Sequence, residues 1–256
     1  MIIRLIKSSI PDNVKVKAKK LWHEISPPRI CLTMFISSGV IFEIKSKMEK
    51  FRVASYGDEE DTIKKMLAEI KPGDIFYDIG SCVGLYSLHA AMLGAQVIAF
   101  EPDPAYRKRL MRNIKINRLK KSIKVIGQAV SDEDGVVTLY TDGIDGNSPS
   151  LRQVGSRGAT TVKTVAIDNL ISQGEIPAPD IIKLDIEGAE ILALRGMGNL
   201  LTSSKAPRFM FIEFHPDFLP AFNSSLDECK QLVKQYGYNE IQSFRRSNQQ
   251  HYFFKK

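Results

Sequence analysis

The sequence predicts an α/β fold, an open and mostly parallel sheet covered by helices on both faces. Three observations carry that prediction. First, the short apolar runs at 75–79, 97–101, 123–128, 181–185 and 209–213 have the length and continuity of strands buried on both sides. Second, helical spacing fills the gaps between them: Leu85, Leu88, Ala91 and Met92 recur until Gly94 stops the run. Third, the first two runs end in Asp78-Ile79-Gly80 and Phe100-Glu101, as in strand–turn–helix units that hold a nucleotide at the carboxyl ends of their strands.

Taken in order, residues 1–55 read as a small N-terminal extension. It is expected to hold a helix over 13–24, a break at Pro27-Pro28, and strand-like runs at 40–44 and 51–54. Residues 56–256 form the main domain. A helix over 61–70 leads through the turn Lys71-Pro72-Gly73-Asp74 into the first core strand. Helices over 85–93 and 105–117 separate the next strands. After the turn at 131–135, residues 136–140 alternate like an exposed hairpin strand, and 161–165 return as its partner. The stretch 141–158, rich in Gly, Ser, Asn and Asp, is expected to be a mobile loop and a candidate lid. A short helix at 167–171, a helix after Glu187, a helix over 226–235 and a strand near 252–254 complete the alternation.

Composition bounds the function. With 256 residues, 43% hydrophobic and 25% charged, the chain can bury a full core and is not disordered. Cys31, Cys82 and Cys229 lie far apart, which argues against a disulfide framework or a zinc site and for a reducing, cytoplasmic setting. The apolar run 30–42 is too short to span a bilayer, and residues 1–10 lack the pattern of a signal peptide. A net charge of +7 is concentrated in Lys15–Lys20 and in the stretch from Arg107 to Lys124. The first cluster offers a peripheral contact with an anionic membrane. The second alternates with Leu110, Met111, Ile114 and Leu119, as on the solvated face of an amphipathic helix.

The loop Asp78-Ile79-Gly80-Ser81-Cys82-Val83-Gly84 discriminates between cofactors. A pyrophosphate binder carries Gly-x-Gly-x-x-Gly; counted from Gly80, this chain has Cys82 and Leu85 at the second and third glycine positions. Asp78 places a carboxylate beside the site, which repels phosphate and suits a cation. S-adenosylmethionine, with its sulfonium and ammonium groups, matches that charge. Glu101, about 20 residues past the loop, can accept both hydrogen bonds of a ribose diol.

The second dense cluster is Lys183-Leu184-Asp185-Ile186-Glu187-Gly188-Ala189-Glu190. Strand alternation puts Lys183 and Asp185 on one face, with Asp185 at the carboxyl end that borders the ligand crevice. Glu213 and His215 end the next strand, so Asp78, Glu101, Lys183, Asp185, Glu213 and His215 are expected in one crevice.

These motifs resemble the FkbM family of S-adenosylmethionine-dependent methyltransferases. The resemblance runs from about Gly73 to His215 and rests on residues 183–190, Phe100-Glu101-Pro102, Ala129-Val130-Ser131-Asp132 and Ile212-Glu213-Phe214-His215. Ser81-Cys82 departs from the Ala-Asn usual in the family's first loop, and residues 1–55 have no counterpart. The resemblance implies a Rossmann-like, seven-strand class I methyltransferase fold and methylation of a hydroxyl on a sugar, glycolipid or other small-molecule or glycan acceptor. It implies that Gly80, Ser81, Cys82 and Gly84 surround the cofactor, with Asp78 near its ammonium group. Glu101 would hold the ribose, Pro102 would pack on the adenine, and Val130 or Asp132 would meet the adenine's amino edge.

Methyl transfer from a sulfonium depends on alignment of donor and acceptor, and a hydroxyl acceptor must also lose its proton. Asp185 and His215 are the candidate bases, and Lys183 is placed to steady an alkoxide. Asp185, Glu213 and a water would suit Mg²⁺, but no spacing calls for a metal. Two other readings compete. RNA ribose methylation fits the basic charge, yet the aromatics fall within strands and at helix ends and form no stacking platform, so nucleic acid is not expected as a partner. A catalytically silent binding module of the same fold would be signalled by failure to bind S-adenosylmethionine.

Overall fold

A computed structural model describes residues 29–33, 39–54, 60–143, 148–153, 158–246 and 248–256. The helix expected over 13–24 lies outside them. Strands β1 (Arg29–Thr33) and β2 (Val40–Ile44) pair antiparallel. They are followed by α1 (Lys47–Ala54) and α2 (Glu60–Ala68). The run at 51–54, expected as a strand, is therefore the end of a helix. Phe51 and Val53 do alternate with Arg52, but Glu49 at the start of α1 accepts from the Lys45 and Ser46 amides and so nucleates a turn there.

The core alternates as expected: β3 (Ile75–Ile79), α3 (Leu85–Met92), β4 (Gln96–Phe100), α4 (Pro104–Ile116) and β5 (Ile123–Ile126). The chain then leaves this sheet for a small one formed by β6 (Ala129–Val130), β7 (Gly135–Thr141) and β8 (Gly158–Val165). It returns through α5 (Ile167–Ser172) to β9 (Ile181–Leu184), α6 (Glu190–Arg195), α7 (Gly198–Thr202) and β10 (Phe209–Phe214). A 3₁₀ turn (Leu219–Phe222), α8 (Leu226–Gln235), β11 (Asn239–Arg246) and β12 (Gln249–Lys255) complete the fold. Strand β11 was not anticipated, because its sequence is polar and most of it is exposed at the sheet edge.

The main sheet has seven strands in the order β11-β12-β10-β9-β3-β4-β5. β12 runs antiparallel between β10 and β11; the pairs β10–β9, β9–β3, β3–β4 and β4–β5 are parallel. After β5 the chain crosses back to lay β9 on the other side of β3. The strand order therefore reverses between β3 and β9, where open α/β sheets leave a crevice for ligands.

Two apolar clusters cover the faces of the sheet, one under α5–α8 and one under α1–α4. Val40, Phe42, Ile44 and Val53 belong to the second, so the described part of the N-terminal 55 residues shares the core of the main domain. Helix α4 attaches it. Asn113 accepts from the Glu43 amide at 3.0 Å and donates to the Val83 carbonyl, while Asn117 pairs both ways with Ile41. Arg109 and Arg112 bond Glu43, and Arg109 also meets Glu49. Part of the basic stretch expected as a solvated face is thus spent inside the protein: the Arg109 side chain is only 12% exposed. No helix among the described residues is long and apolar enough to cross a membrane.

Candidate active site

The crevice begins with Gly80. A Cβ there would stand 1.9 Å from the carbonyl oxygen of Asp185, and φ is +83°, so only glycine lets the ends of β3 and β9 approach so closely. Gly84, at φ +97°, starts α3 and packs on Leu88 and Leu110. Between them Cys82 is held at φ +52°, an unfavourable conformation for a side-chain-bearing residue, and its amide donates to Glu101 Oε2 at 2.7 Å. Glu101 Oε1 accepts from the Asp103 amide, so both carboxylate oxygens face backbone donors. The residue is 5% exposed, and burial pushes its carboxyl up to about 8.

Lys183 joins the two strand ends. Its Nζ donates to the Gly80 carbonyl at 2.8 Å and stands 3.5 Å from Asp78 and 3.3 Å from Asp185. Burial disfavours the ammonium, but the charges of Asp185, Asp78 and Glu213 outweigh it and keep Lys183 protonated. With its donors committed this way, Lys183 pins the loop and orients Asp185. Desolvation works against the Asp185 carboxylate too, and Lys183 and His215 more than offset it, holding its carboxyl below the ordinary range.

At the end of β10, His215 is 4% exposed and stacks on Phe218. Its Nδ1 is 2.8 Å from Glu190 Oε1, which also accepts from the Gly188 amide. Its Nε2 faces three carboxylates: Glu213 at 3.6 Å, Glu187 at 3.7 Å and Asp185 at 3.9 Å. Burial lowers the imidazole pKa, but the Glu190 hydrogen bond and these charges win and hold it at about 10. Burial and the nearby carboxylates raise both Glu187 and Glu213. His251, on β12, lies 3.5 Å from Glu213 on its other side and is kept neutral by burial, at about 4.

Two clefts open from this centre. The first, about 700 Å³ with its open mouth included, lies between the β3, β4 and β6 ends, walled by Gly80, Glu101, Pro102, Val130, Ser150 and Ile186. The second, about 840 Å³, is bordered by Arg52, Tyr86, Lys183, Glu213, Arg246 and Gln249. Gly80, Cys82, Ser148, Asp185 and Glu187 line both.

Of the residues expected at the site, Gly80, Cys82, Glu101, Pro102, Val130 and Asp185 border the first cleft, and Ser81, Lys183 and Glu213 border the second. Asp78, Gly84, Asp132 and His215 line neither. Asp78 is buried beneath the loop, where it accepts from the amide and hydroxyl of Ser87 on α3. Asp132 lies exposed and bonds Ser131. The stretch expected as a lid supplies Ser148–Leu151 to the first cleft, and an isolated bridge joins Ser150 to Tyr140; residues 144–147 and 154–157 lie outside the described set. Sequence reasoning missed Glu187 and Glu190. The repeated acid in Asp185-Ile186-Glu187-Gly188-Ala189-Glu190 was the available signal, since a turn after a strand brings such residues together.

Fold and site together define an α/β protein with a crevice at the switch point of its sheet, and its relatives give its class as an S-adenosylmethionine-dependent methyltransferase. The sequence profile of the Methyltransferase FkbM domain matches residues 78–240, more than half of the chain, which therefore belongs to that family. The chain is 31% identical over 174 residues to the hexuronic acid methyltransferase AglP of Haloferax volcanii, covering 68% of this chain and 70% of that protein. It is 24% identical over 205 residues to the 2-O-methyltransferase NoeI of Sinorhizobium fredii, covering 70% and 80%. The crystal structure of Methyltransferase FkbM from Methylobacillus flagellatus KT shares the fold, with a TM-score of 0.52 and 18% identity, over 74% of this chain and 46% of that longer one.

Proposed function

We propose that the protein transfers a methyl group from S-adenosylmethionine to an oxygen of a sugar or related small-molecule or glycan acceptor. The observation that carries this reading is the pair of clefts meeting at Gly80, Cys82, Asp185 and Glu187. The first cleft suits the cofactor: Glu101 offers a carboxylate to the ribose, Pro102 and Val130 offer apolar contact to the adenine, and Glu187 provides negative charge for the ammonium and sulfonium. The second suits the acceptor. Phe51 and Arg52, from the N-terminal 55 residues, line it together with Arg246, so that segment helps to shape acceptor choice. An acceptor with a carboxylate of its own, such as a uronic acid, is in keeping with the name of the relative AglP.

At the junction an acceptor oxygen would be held in line with the methyl group. Alignment supplies much of the rate, because charge is neutralised as the sulfonium becomes a thioether. Glu213 borders the acceptor cleft, with His215 Nε2 3.6 Å from Oε1 and His251 Nε2 3.5 Å from Oε2, and is the carboxylate placed to take the proton that the hydroxyl loses. Asp185 orients the hydroxyl, and Lys183 orients Asp185.

The first test is calorimetric titration with S-adenosylmethionine, using NAD as the control. Micromolar binding of the former alone is expected. Transfer of labelled methyl to uronic-acid glycans over neutral sugars then supports the acceptor class. Failure to bind S-adenosylmethionine would overturn the reading and leave a binding module of the same fold.

A further inference from the structure

We propose that Asp185, Glu187 and His215 form a binding site for one hard divalent cation of the Mg²⁺ and Mn²⁺ class, at the junction where the methyl group passes between the clefts. The placement at the junction rests on the reading above; the cation site itself rests on geometry. One ligand atom from each of the three side chains lies within 4.8 Å of the others, close enough to share an ion after a small inward shift.

Three independent features point to a cation. His215 presents Nε2 to the cluster because Nδ1 is engaged by Glu190, itself fully buried and fixed by the Gly188 amide. A carboxylate behind a ligating histidine is the arrangement that sets its tautomer and orientation at metal centres. Glu213 is the second feature. It is 8% exposed and turns Oε1 toward the cluster, 3.6 Å from the same Nε2, while Oε2 lies 3.5 Å from His251 Nε2. The third is charge. Asp185, Glu187, Glu190 and Glu213 gather around His215, while the donors of Lys183 are already shared among Gly80, Asp78 and Asp185. A divalent ion binding at this group of carboxylates would displace the proton that His215 carries in the metal-free protein. Two carboxylates and one imidazole suit Mn²⁺ or Mg²⁺ better than a thiol-seeking metal.

A cation held by Asp185, Glu187 and His215 would make a neighbouring acceptor hydroxyl more acidic. The proton passes to Glu213. The oxygen then forms its bond to the methyl carbon as the carbon–sulfur bond breaks, and the sulfur keeps that electron pair as a neutral thioether.

The test uses the full chain, stripped with a chelator and titrated with MnCl₂ alone while free Mn²⁺ is followed by electron paramagnetic resonance. One bound ion per chain is expected. Glu187→Gln and Asp185→Asn should each weaken it by about tenfold or more, and Glu190→Gln by roughly 10–100-fold through His215. Thermal unfolding of each variant separates loss of the site from loss of the fold. S-adenosylmethionine titration of the same preparation keeps the two proposals apart: cofactor binding without Mn²⁺ binding overturns only the cation, and Mn²⁺ binding without cofactor binding overturns only the function. Absence of bound Mn²⁺ at millimolar metal, or binding unchanged in Glu187→Gln and Asp185→Asn, overturns the cation site.

Discussion

At the scale of single residues, the crevice depends on groups placed where most side chains would be strained or desolvated. Gly80→Ala forces a Cβ against the Asp185 carbonyl at φ +83°. The backbone strain alone costs about 1–3 kcal/mol. We expect a lower urea midpoint and loss of cofactor binding together, because the same displacement separates β3 from β9. Glu101 makes a pH-dependent prediction. Burial holds its carboxyl at about 8, above the ordinary 4.5, near the Asp103 and Cys82 amides, the Asp103 carboxylate and Lys183. The folded protein thus keeps a proton that the unfolded chain has released above pH 4.5. The stability Glu101 contributes is complete below 4.5 and is lost as pH rises to about 8. Glu101→Gln should flatten that decline in the thermal midpoint of the cofactor-free protein. It should also weaken S-adenosylmethionine binding most at the alkaline end, where the native carboxylate is charged and the better acceptor for a ribose diol.

Among the elements, α4 does more than cover the sheet. Its Asn113 is 1% exposed and joins β2 to the loop before α3 through two buried hydrogen bonds. Asn113→Ala orphans the Glu43 amide and the Val83 carbonyl, each costing roughly 1–3 kcal/mol. Chemical denaturation should show the loss. Phe51 and Arg52 border the acceptor cleft, so loosening this attachment should also raise KM for the acceptor more than it weakens the cofactor. Strand β9 carries the other critical element contact. Lys183→Met leaves Asp78 and Asp185 without their shared cation, and breaking a buried pair in this way costs about 3–5 kcal/mol. If Lys183→Met unfolds at the native urea concentration, its role as the pin between β3 and β9 is wrong.

For the whole molecule, the reversal of strand order between β3 and β9 makes one crevice out of residues about 100 positions apart, Lys183 and Ile79 among them. Turnover should therefore be lost in Asp185→Ala with only a small change in S-adenosylmethionine affinity, since Glu101, Pro102 and Val130 hold the cofactor from the far side of the first cleft. Single-turnover kinetics beside calorimetry would separate the two effects, and normal turnover would remove Asp185 from the chemistry. Local rules were enough to read the alternating elements, the glycine that must sit at Gly80, the acid at Glu101 and the Lys183–Glu190 cluster. Each is encoded by a few neighbouring residues: apolar runs, helical spacing, a turn after a strand. The same rules misread 51–54 and missed β11, where an amphipathic turn and a polar edge strand lack that local contrast. Tertiary structure alone decided which side chains line a cavity. It buried Asp78 under α3, left Asp132 outside, turned Arg109 inward onto Glu43 and Glu49, and brought Glu187 and Glu190 against His215. Those outcomes depend on packing between distant segments and on the charge already present where they meet, which no local pattern in the chain records.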